Sequence, residues 1–162
     1  MINIKNFSEY IGEIENVSEI HKMKEYMQHG KLSTYSHCKQ VSYYSYVLAQ
    51  KLKLNLDYAS LIRGAFLHDF YLYDWHTRND GHNLHAFTHP KKALENASKS
   101  FKLNSKEINI IDSHMWPLTI NKFPKSKEAI IVCLVDKYCA SMEIIKFGSR
   151  ANIHRLMGAV FE

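Results

Sequence analysis

The sequence predicts an all-α fold, built as a single domain of about six to seven helices. Apolar residues recur at spacings of three and four along most of the chain, and capping residues and prolines separate these periodic segments. No segment alternates apolar and polar residues for long enough to indicate a strand. A chain of 162 residues, 46% hydrophobic and 23% charged, has the size and composition of one folded domain covering residues 1–162.

The first three helices are predicted from their periodicity and their caps. An apolar periodic segment over about residues 18–27 indicates the first helix. Ser33 is a favourable N-cap for the second helix, which covers residues 34–52. Asp57 caps the third helix, whose apolar side continues to His68.

Four further helices are predicted in the second half of the chain. The fourth, over residues 90–101, opens on a proline, which is favoured in the first helical turn. The fifth opens on a serine and covers residues 105–116, since proline at the next position disfavours helical geometry in the residue before it. The sixth and longest covers residues 126–147, and a final helix covers about residues 152–160.

Composition excludes several classes of protein. The N-terminal segment lacks the apolar core of a signal peptide, and the longest apolar run, residues 129–135, is too short to span a membrane. Three cysteines argue against a disulfide framework, so we expect a cytoplasmic protein. The net charge is +5, but the basic residues are scattered, which argues against a nucleic-acid partner. A loosely basic stretch over residues 102–127 could instead attract a phosphorylated small molecule.

Six polar side chains are predicted to lie on the apolar faces of these helices. Asp136, for example, is flanked at helical spacing by apolar residues, and His114 follows Ile110 by one turn. An ionised carboxylate is costly to bury without a partner, so these side chains must meet one another or a ligand. The six are His37, His68, Asp69, His89, His114 and Asp136.

Charge favours divalent cations as the common partner of this set. Two carboxylates cannot share a dry interior alone, and neutral imidazoles do not cancel their charge, whereas a divalent metal ion satisfies both ligand types. Four histidines and two aspartates exceed one tetrahedral site, which predicts two metal ions about 3.5 to 4 Å apart with Asp69 between them. Nitrogen and oxygen ligands without thiolate favour Fe or Mn, with Co, Zn or Ni as alternatives.

Four of these residues resemble, in type and order, the ligands of the HD superfamily of metal-dependent phosphohydrolases. Members of this superfamily are all-α domains named for an adjacent His-Asp pair. The segment "RGAFLHD" is similar to the central motif of the superfamily, and the resemblance covers about residues 33–147. The resemblance implies that one metal ion is held by His37, His68, Asp69 and Asp136.

Two further histidines resemble those of the dinuclear branch of the superfamily. This branch includes diadenosine tetraphosphate hydrolases and other nucleotide phosphohydrolases. The resemblance implies that Asp69, His89 and His114 hold a second metal ion. The residues after His114 read "MWPLTINKFP", without the Gly-Tyr-Pro signature of the cyclic-di-GMP phosphodiesterases, which argues against that substrate.

The resemblance implies a phosphohydrolase that acts on a nucleotide or another small phosphate ester. A metal-activated hydroxide would attack the phosphorus, with Asp69 at the centre of the site. Lys137 and Arg78 are predicted to stabilise charge on the phosphoryl oxygens. The long loop "YLYDWHTRNDGHNLHAF" supplies candidates for the proton donor to the leaving group, namely Asp74, His76, His82 and His85.

Two other functions remain open from the sequence. The same order of ligands resembles inositol oxygenase and an organophosphonate oxygenase, which predicts a di-iron oxygenase as the first alternative. The second alternative is a non-catalytic signalling domain stabilised by its metal. The sequence leaves a homo-oligomer open as well.

Overall fold

The computed structural model describes residues 4–76 and 84–158. Within these ranges the chain forms seven α-helices and one short antiparallel pair of strands, so the all-α prediction is confirmed. In chain order the elements are α1 (Ile4–Glu15), α2 (Ser18–Lys22), β1 (Met27–His29), β2 (Leu32–Ser33), α3 (Thr34–Lys51), α4 (Tyr58–Leu67), α5 (His85–Ser100), α6 (Ser105–Ser113) and α7 (Lys127–Gly158).

Three central helices begin close to their predicted caps. The side chain of Ser33 accepts a hydrogen bond at the start of α3, and that of Asp57 does the same for α4. Asn104, one residue before the predicted Ser105, caps α6 and forms a reciprocal capping box with Glu107. Each such cap contributes about 1 kcal/mol to the free energy of unfolding.

The start of α5 differs from the prediction. The helix begins at His85, so Pro90 lies in its second turn and His89 lies inside the helix rather than at its N-terminus. Proline at this position removes one backbone hydrogen bond. The buried side chains of His89, Ala93 and Ala97 pack against the core and offset that loss.

The N-terminal region and the C-terminal helix also differ from the prediction. The helix predicted over residues 18–27 is limited to α2, and a hairpin follows whose turn contains Gly30 at a φ of 61°. The two strands, of three and two residues, are too short to show the alternation of apolar and polar residues that indicates a strand. The prediction of a separate helix over residues 152–160 was wrong for the described part, because α7 continues without a break to residue 158. Gly148 lies within α7, and one glycine costs a helix only about 1 kcal/mol.

The core lies on two sides of α4. Residues of α1, α3 and α5 pack against one side, where Phe66 is fully buried. Residues of α3, α6 and α7 pack against the other, where Leu61 is fully buried. The three cysteines are free thiols in this interior. Among the described residues, no helix has both the length and the apolar character needed to cross a bilayer.

The close approach of α4 and α6 depends on Gly64. A Cβ atom at Gly64 would lie 2.6 Å from Cδ1 of Ile110 and 3.0 Å from its Cβ atom. Because Cβ of Ile110 is fixed to the α6 backbone, the helices themselves would have to separate. We expect Gly64→Ala to lower the free energy of unfolding by about 1 to 3 kcal/mol, as overpacked cores do.

Thermal denaturation followed by circular dichroism checks this expectation. Gly12 in α1 is the matched control, because a Cβ there meets nothing within 4 Å. Gly12→Ala should be neutral or stabilise the protein by up to about 1 kcal/mol. Equal melting temperatures for the two variants would show that α6 can move away from α4 at no cost.

Candidate metal centre

Five helices bring the six predicted ligands to one point in the interior. One ligand lies on each of α3, α5 and α7, one directly follows α6, and two directly follow α4. All six side chains are buried. They are His37, His68, Asp69, His89, His114 and Asp136.

One half of the cluster lies around a carboxylate oxygen of Asp136. Nε2 of His37 is 3.1 Å from Oδ1 of Asp136, and Nε2 of His68 is 3.4 Å from the same oxygen. Oδ2 of Asp69 completes this half at 3.4 Å from Nε2 of His68 and 3.9 Å from Nε2 of His37. Two imidazoles and two carboxylates therefore share this half of the cluster.

The other half lies around the second oxygen of the same aspartate. Oδ1 of Asp69 is 3.1 Å from Nε2 of His89 and 3.4 Å from Nε2 of His114. The Nε2 atoms of these two histidines are only 2.8 Å apart. Asp69 thus faces both halves of the cluster, one oxygen to each.

The hydrogen bonds of three histidines fix which ring nitrogen faces the cluster. Each of these rings donates from Nδ1 to a backbone carbonyl three or four residues earlier, at 2.7 to 2.8 Å. A carbonyl can only accept, so each Nδ1 carries a hydrogen and Nε2 faces the cluster, where it presents a lone pair whenever the ring is neutral. The donor and acceptor pairs are His68 with Ala65, His89 with His85, and His114 with Ile111.

These lone pairs suit a metal ion. Two of them facing each other at 2.8 Å, on His89 and His114, repel unless a cation or a proton lies between them. Nε2 of His68 and Oδ1 of Asp69 are buried and make no hydrogen bond. Buried polar atoms of this kind are rarely left without a partner, and a divalent cation would satisfy all of them together.

Electrostatics in the cluster also favour a positive charge at its centre. Burial raises the pKa of Asp69, but the charges of His68 and His89 outweigh it and hold that pKa well below the usual value. The hydrogen bond with His37 and the close contact with His68 likewise outweigh burial and lower the pKa of Asp136. Burial lowers the pKa of His37, yet hydrogen bonds to Asp136 and Glu143 raise it to about 10. Both aspartates are therefore ionised and attract cations.

Two residues that support the cluster were missed by the sequence analysis. Both carboxylate oxygens of Glu143 accept from Nδ1 of His37, at 2.9 and 3.1 Å. Gln28 of β1 donates from Nε2 to Oδ2 of Asp69 at 2.7 Å. Glu143 lies two helical turns after Asp136 and could have been found from that spacing. Gln28 lies in the unpredicted hairpin, and no signal in the sequence indicated it.

The carboxylate of Glu143 should strengthen metal binding through His37. A carboxylate that accepts from the outer nitrogen of a ligand histidine fixes the ring and increases its basicity. We expect Glu143→Gln to weaken Mn²⁺ binding by about 10- to 100-fold, measured by isothermal titration calorimetry. Glu95→Gln is the control, since Glu95 is an exposed acid on α5 paired with Lys92. Equal affinities in the two variants would contradict a supporting role for Glu143.

Of the two residues predicted to stabilise charge on the phosphoryl oxygens, Lys137 is described and Arg78 is not. Lys137 lines the cavity next to the cluster, but its ammonium donates to the backbone carbonyls of His114 at 2.7 Å and Cys133 at 3.3 Å. Lys137 thus ties the end of α6 to α7. Arg78 lies outside the described residues, and so does His82.

The remaining candidates for the proton donor lie just before residue 77 and just after residue 83, where the described ranges end and resume. Asp74 and His76 form an exposed pair, with Oδ1 of Asp74 3.2 Å from Nδ1 of His76. His85 instead lines the cavity, and its ring stacks on that of His89 with centroids 4.6 Å apart. The structure therefore brings His85, of the described candidates, to the cluster.

The cluster forms part of the wall of a cavity of about 820 Å³. This volume is within the range of pockets that bind small molecules. Among the described residues, two sets of three side chains have ligand atoms within 4.8 Å of one another and could each hold a metal ion. These sets are His37, His68 and Asp136, and His68, Asp69 and His114.

Comparison with known proteins agrees with this geometry. The model of a family described as HD domain matches residues 34–141, well over half of the chain. Searches of curated proteins and of solved structures gave no match. The matched residues begin with α3 and include all six side chains of the cluster. The chain belongs to the HD domain family.

Proposed function

We propose that this protein is a phosphohydrolase that cleaves a nucleotide or another small phosphate ester with two divalent metal ions. One observation carries the proposal, namely the convergence of four imidazoles and two carboxylates at the wall of a large cavity. Membership of the HD domain family supports it, since these domains are generally metal-dependent hydrolases. Fe or Mn suits the nitrogen and oxygen donors best.

The two halves of the cluster suggest how the metal ions would be held. His37, His68 and Asp136 would bind one ion, and His89 and His114 would bind the other. Asp69 would bind both, because one of its oxygens faces each half. When bound, divalent cations supply a Lewis acid for the phosphoryl oxygens and a water of lowered pKa.

The chain itself would orient the substrate and supply a proton. Apolar side chains around the cavity exclude bulk water from the phosphate, which strengthens electrostatic interactions there. His85 would protonate the leaving oxygen, in reach of the cluster through its stack on His89. Tyr73 lies 2.7 Å from Nδ1 of His85, and burial and the charge of Asp69 raise the pKa of Tyr73 to about 12. The phenol therefore stays neutral, and its oxygen can accept from Nδ1 of a protonated His85 ring, which is the form that can give up a proton.

Metal analysis and a phosphate-release screen test the proposed function together. We expect freshly purified protein to contain two metal ions per chain and to release phosphate from nucleotides or phosphomonoesters with Mn²⁺ under anaerobic conditions. Dependence of turnover on oxygen in the iron form would overturn hydrolysis in favour of an oxygenase. Bound metal with no turnover on any ester would overturn it in favour of a metal-stabilised signalling domain.

A further inference from the structure

The walls of the cavity away from the cluster are apolar. Its polar lining is concentrated at the metal-binding side chains and at Gln28, His85 and Lys137. The rest of the lining includes a tryptophan, a phenylalanine and several aliphatic side chains. Large apolar side chains on these walls are Trp75, Leu84, Phe87, Met115, Leu118 and Ile144.

The apolar surface continues outwards from the mouth of the cavity. Leu84 is 62% exposed, Phe87 51% and Leu118 48%, which is unusual for side chains of this size beside one another. Phe87 and Leu118 also line a neighbouring pocket of about 410 Å³, next to Ile120. A ligand with an apolar body would cover these side chains and remove them from water.

Positive charge is scarce among the described residues that line the same cavity. Of the described residues that line it, Lys137 is the one lysine or arginine. Its ammonium is already bonded to the carbonyls of His114 and Cys133. Two divalent cations carry four positive charges. Asp69, Asp136 and one phosphate dianion together carry about four negative charges, so the two sets neutralise each other. A second or third phosphate would meet no further cation among these residues.

We propose that the substrate is the phosphate monoester of an apolar alcohol, with its phosphate at the metal centre and its body against the apolar walls. This inference rests on the proposed function and narrows its substrate class. The oxygen of water forms the new bond to phosphorus, the bond from phosphorus to the alcohol oxygen breaks, and that oxygen takes a proton. The products are the free alcohol and inorganic phosphate, with no change of oxidation state.

A series of n-alkyl phosphates from ethyl to octyl tests the substrate class. With the Mn²⁺-loaded protein, kcat/KM should rise about fourfold per methylene group, because each buried methylene is transferred from water to an apolar wall. Ribose 5-phosphate and a nucleoside triphosphate should be poorer substrates than octyl phosphate. A preference for the triphosphate, or no dependence on chain length, would overturn the inference.

Binding of n-alkylphosphonates separates this inference from the proposed function. Their carbon–phosphorus bond is not an ester, so calorimetry on the Mn²⁺-loaded protein measures affinity without turnover. Affinity that rises with chain length supports an apolar substrate site even if no ester is cleaved, in which case the proposed hydrolysis alone fails. Affinity independent of chain length overturns the inference even if phosphate is released from other esters.

A pair of leucine variants locates the binding surface. Leu118→Ser should weaken octylphosphonate binding by about tenfold and leave methylphosphonate binding unchanged. Leu52→Ser is the matched control, because Leu52 is 59% exposed at the end of α3 and does not line the cavity. Equal octylphosphonate affinities in the two variants would show that the chain does not bind along this wall.

Discussion

Replacing Asp69 with alanine is expected to abolish both metal binding and turnover. Each carboxylate oxygen of Asp69 faces a different half of the cluster, so one substitution removes a ligand from both proposed metal ions. Among the described residues, Asp69 is the one carboxylate at ion-pair distance from His89 and His114, so its loss leaves that pair without an acidic ligand. We expect metal content to fall from two ions per chain to fewer than about half an ion, and kcat/KM to fall at least about a thousandfold.

Metal analysis and phosphate release measure the two effects, and circular dichroism establishes that the variant is folded. Asp69→Asn is the isosteric second variant, which keeps the shape and one acceptor oxygen but removes the charge. Asp112→Asn is the control, since Asp112 pairs with Lys122 on the surface, where an ion pair contributes little. Retention of two metal ions by Asp69→Ala would overturn the assignment of Asp69 to both.

Local capping and periodicity predicted most helices because those signals lie within a few residues of one another. Ser33 and Asp57 cap α3 and α4 at the predicted positions. Each side chain accepts a hydrogen bond from the backbone N–H three residues later, so the signal is local. The prediction failed where tertiary packing decided the outcome. Pro90 favoured a helix start, yet burial of His89 and Ala93 extends α5 by five residues before it.

The cluster itself could be predicted because its polar side chains stand at positions where the helical periodicity predicts apolar ones. His68 and Asp136 stand on apolar faces, and the cost of burying them requires partners that the sequence supplies elsewhere. The supporting shell could not be predicted in the same way. Gln28 reaches Asp69 from a hairpin 41 residues earlier, and that contact depends on how the strands pack rather than on any local signal.

The apolar walls illustrate the same limit for substrate specificity. Leu84 and Phe87 lie three residues apart at the start of α5, whereas Leu118 comes from a separate segment 31 residues after Phe87. Their common surface exists only when α5 and the turn after α6 lie beside each other. A sequence can therefore indicate that a phosphate is bound, through charge, without indicating what the phosphate is attached to.

Replacing His85 with glutamine is expected to slow only those reactions whose leaving group needs a proton. General acids contribute about 10²- to 10⁴-fold, so kcat on an alkyl phosphate should fall by about a hundredfold or more. 4-Nitrophenyl phosphate should be affected far less, because its phenolate leaves without protonation. The metal centre should be unchanged, since the atom of His85 that holds His89 is a backbone carbonyl and not the side chain.

The comparison of the two leaving groups separates proton donation from a structural role of His85. His76→Gln is the matched control, because His76 is exposed near the same loop and pairs with Asp74. A loss of metal from His85→Gln, or an equal loss of kcat on both esters, would mean that the ring supports the cluster through its stack on His89 instead. Normal metal content with a loss confined to the alkyl ester would assign the proton to His85, because stacking affects both esters equally whereas proton transfer depends on the leaving oxygen.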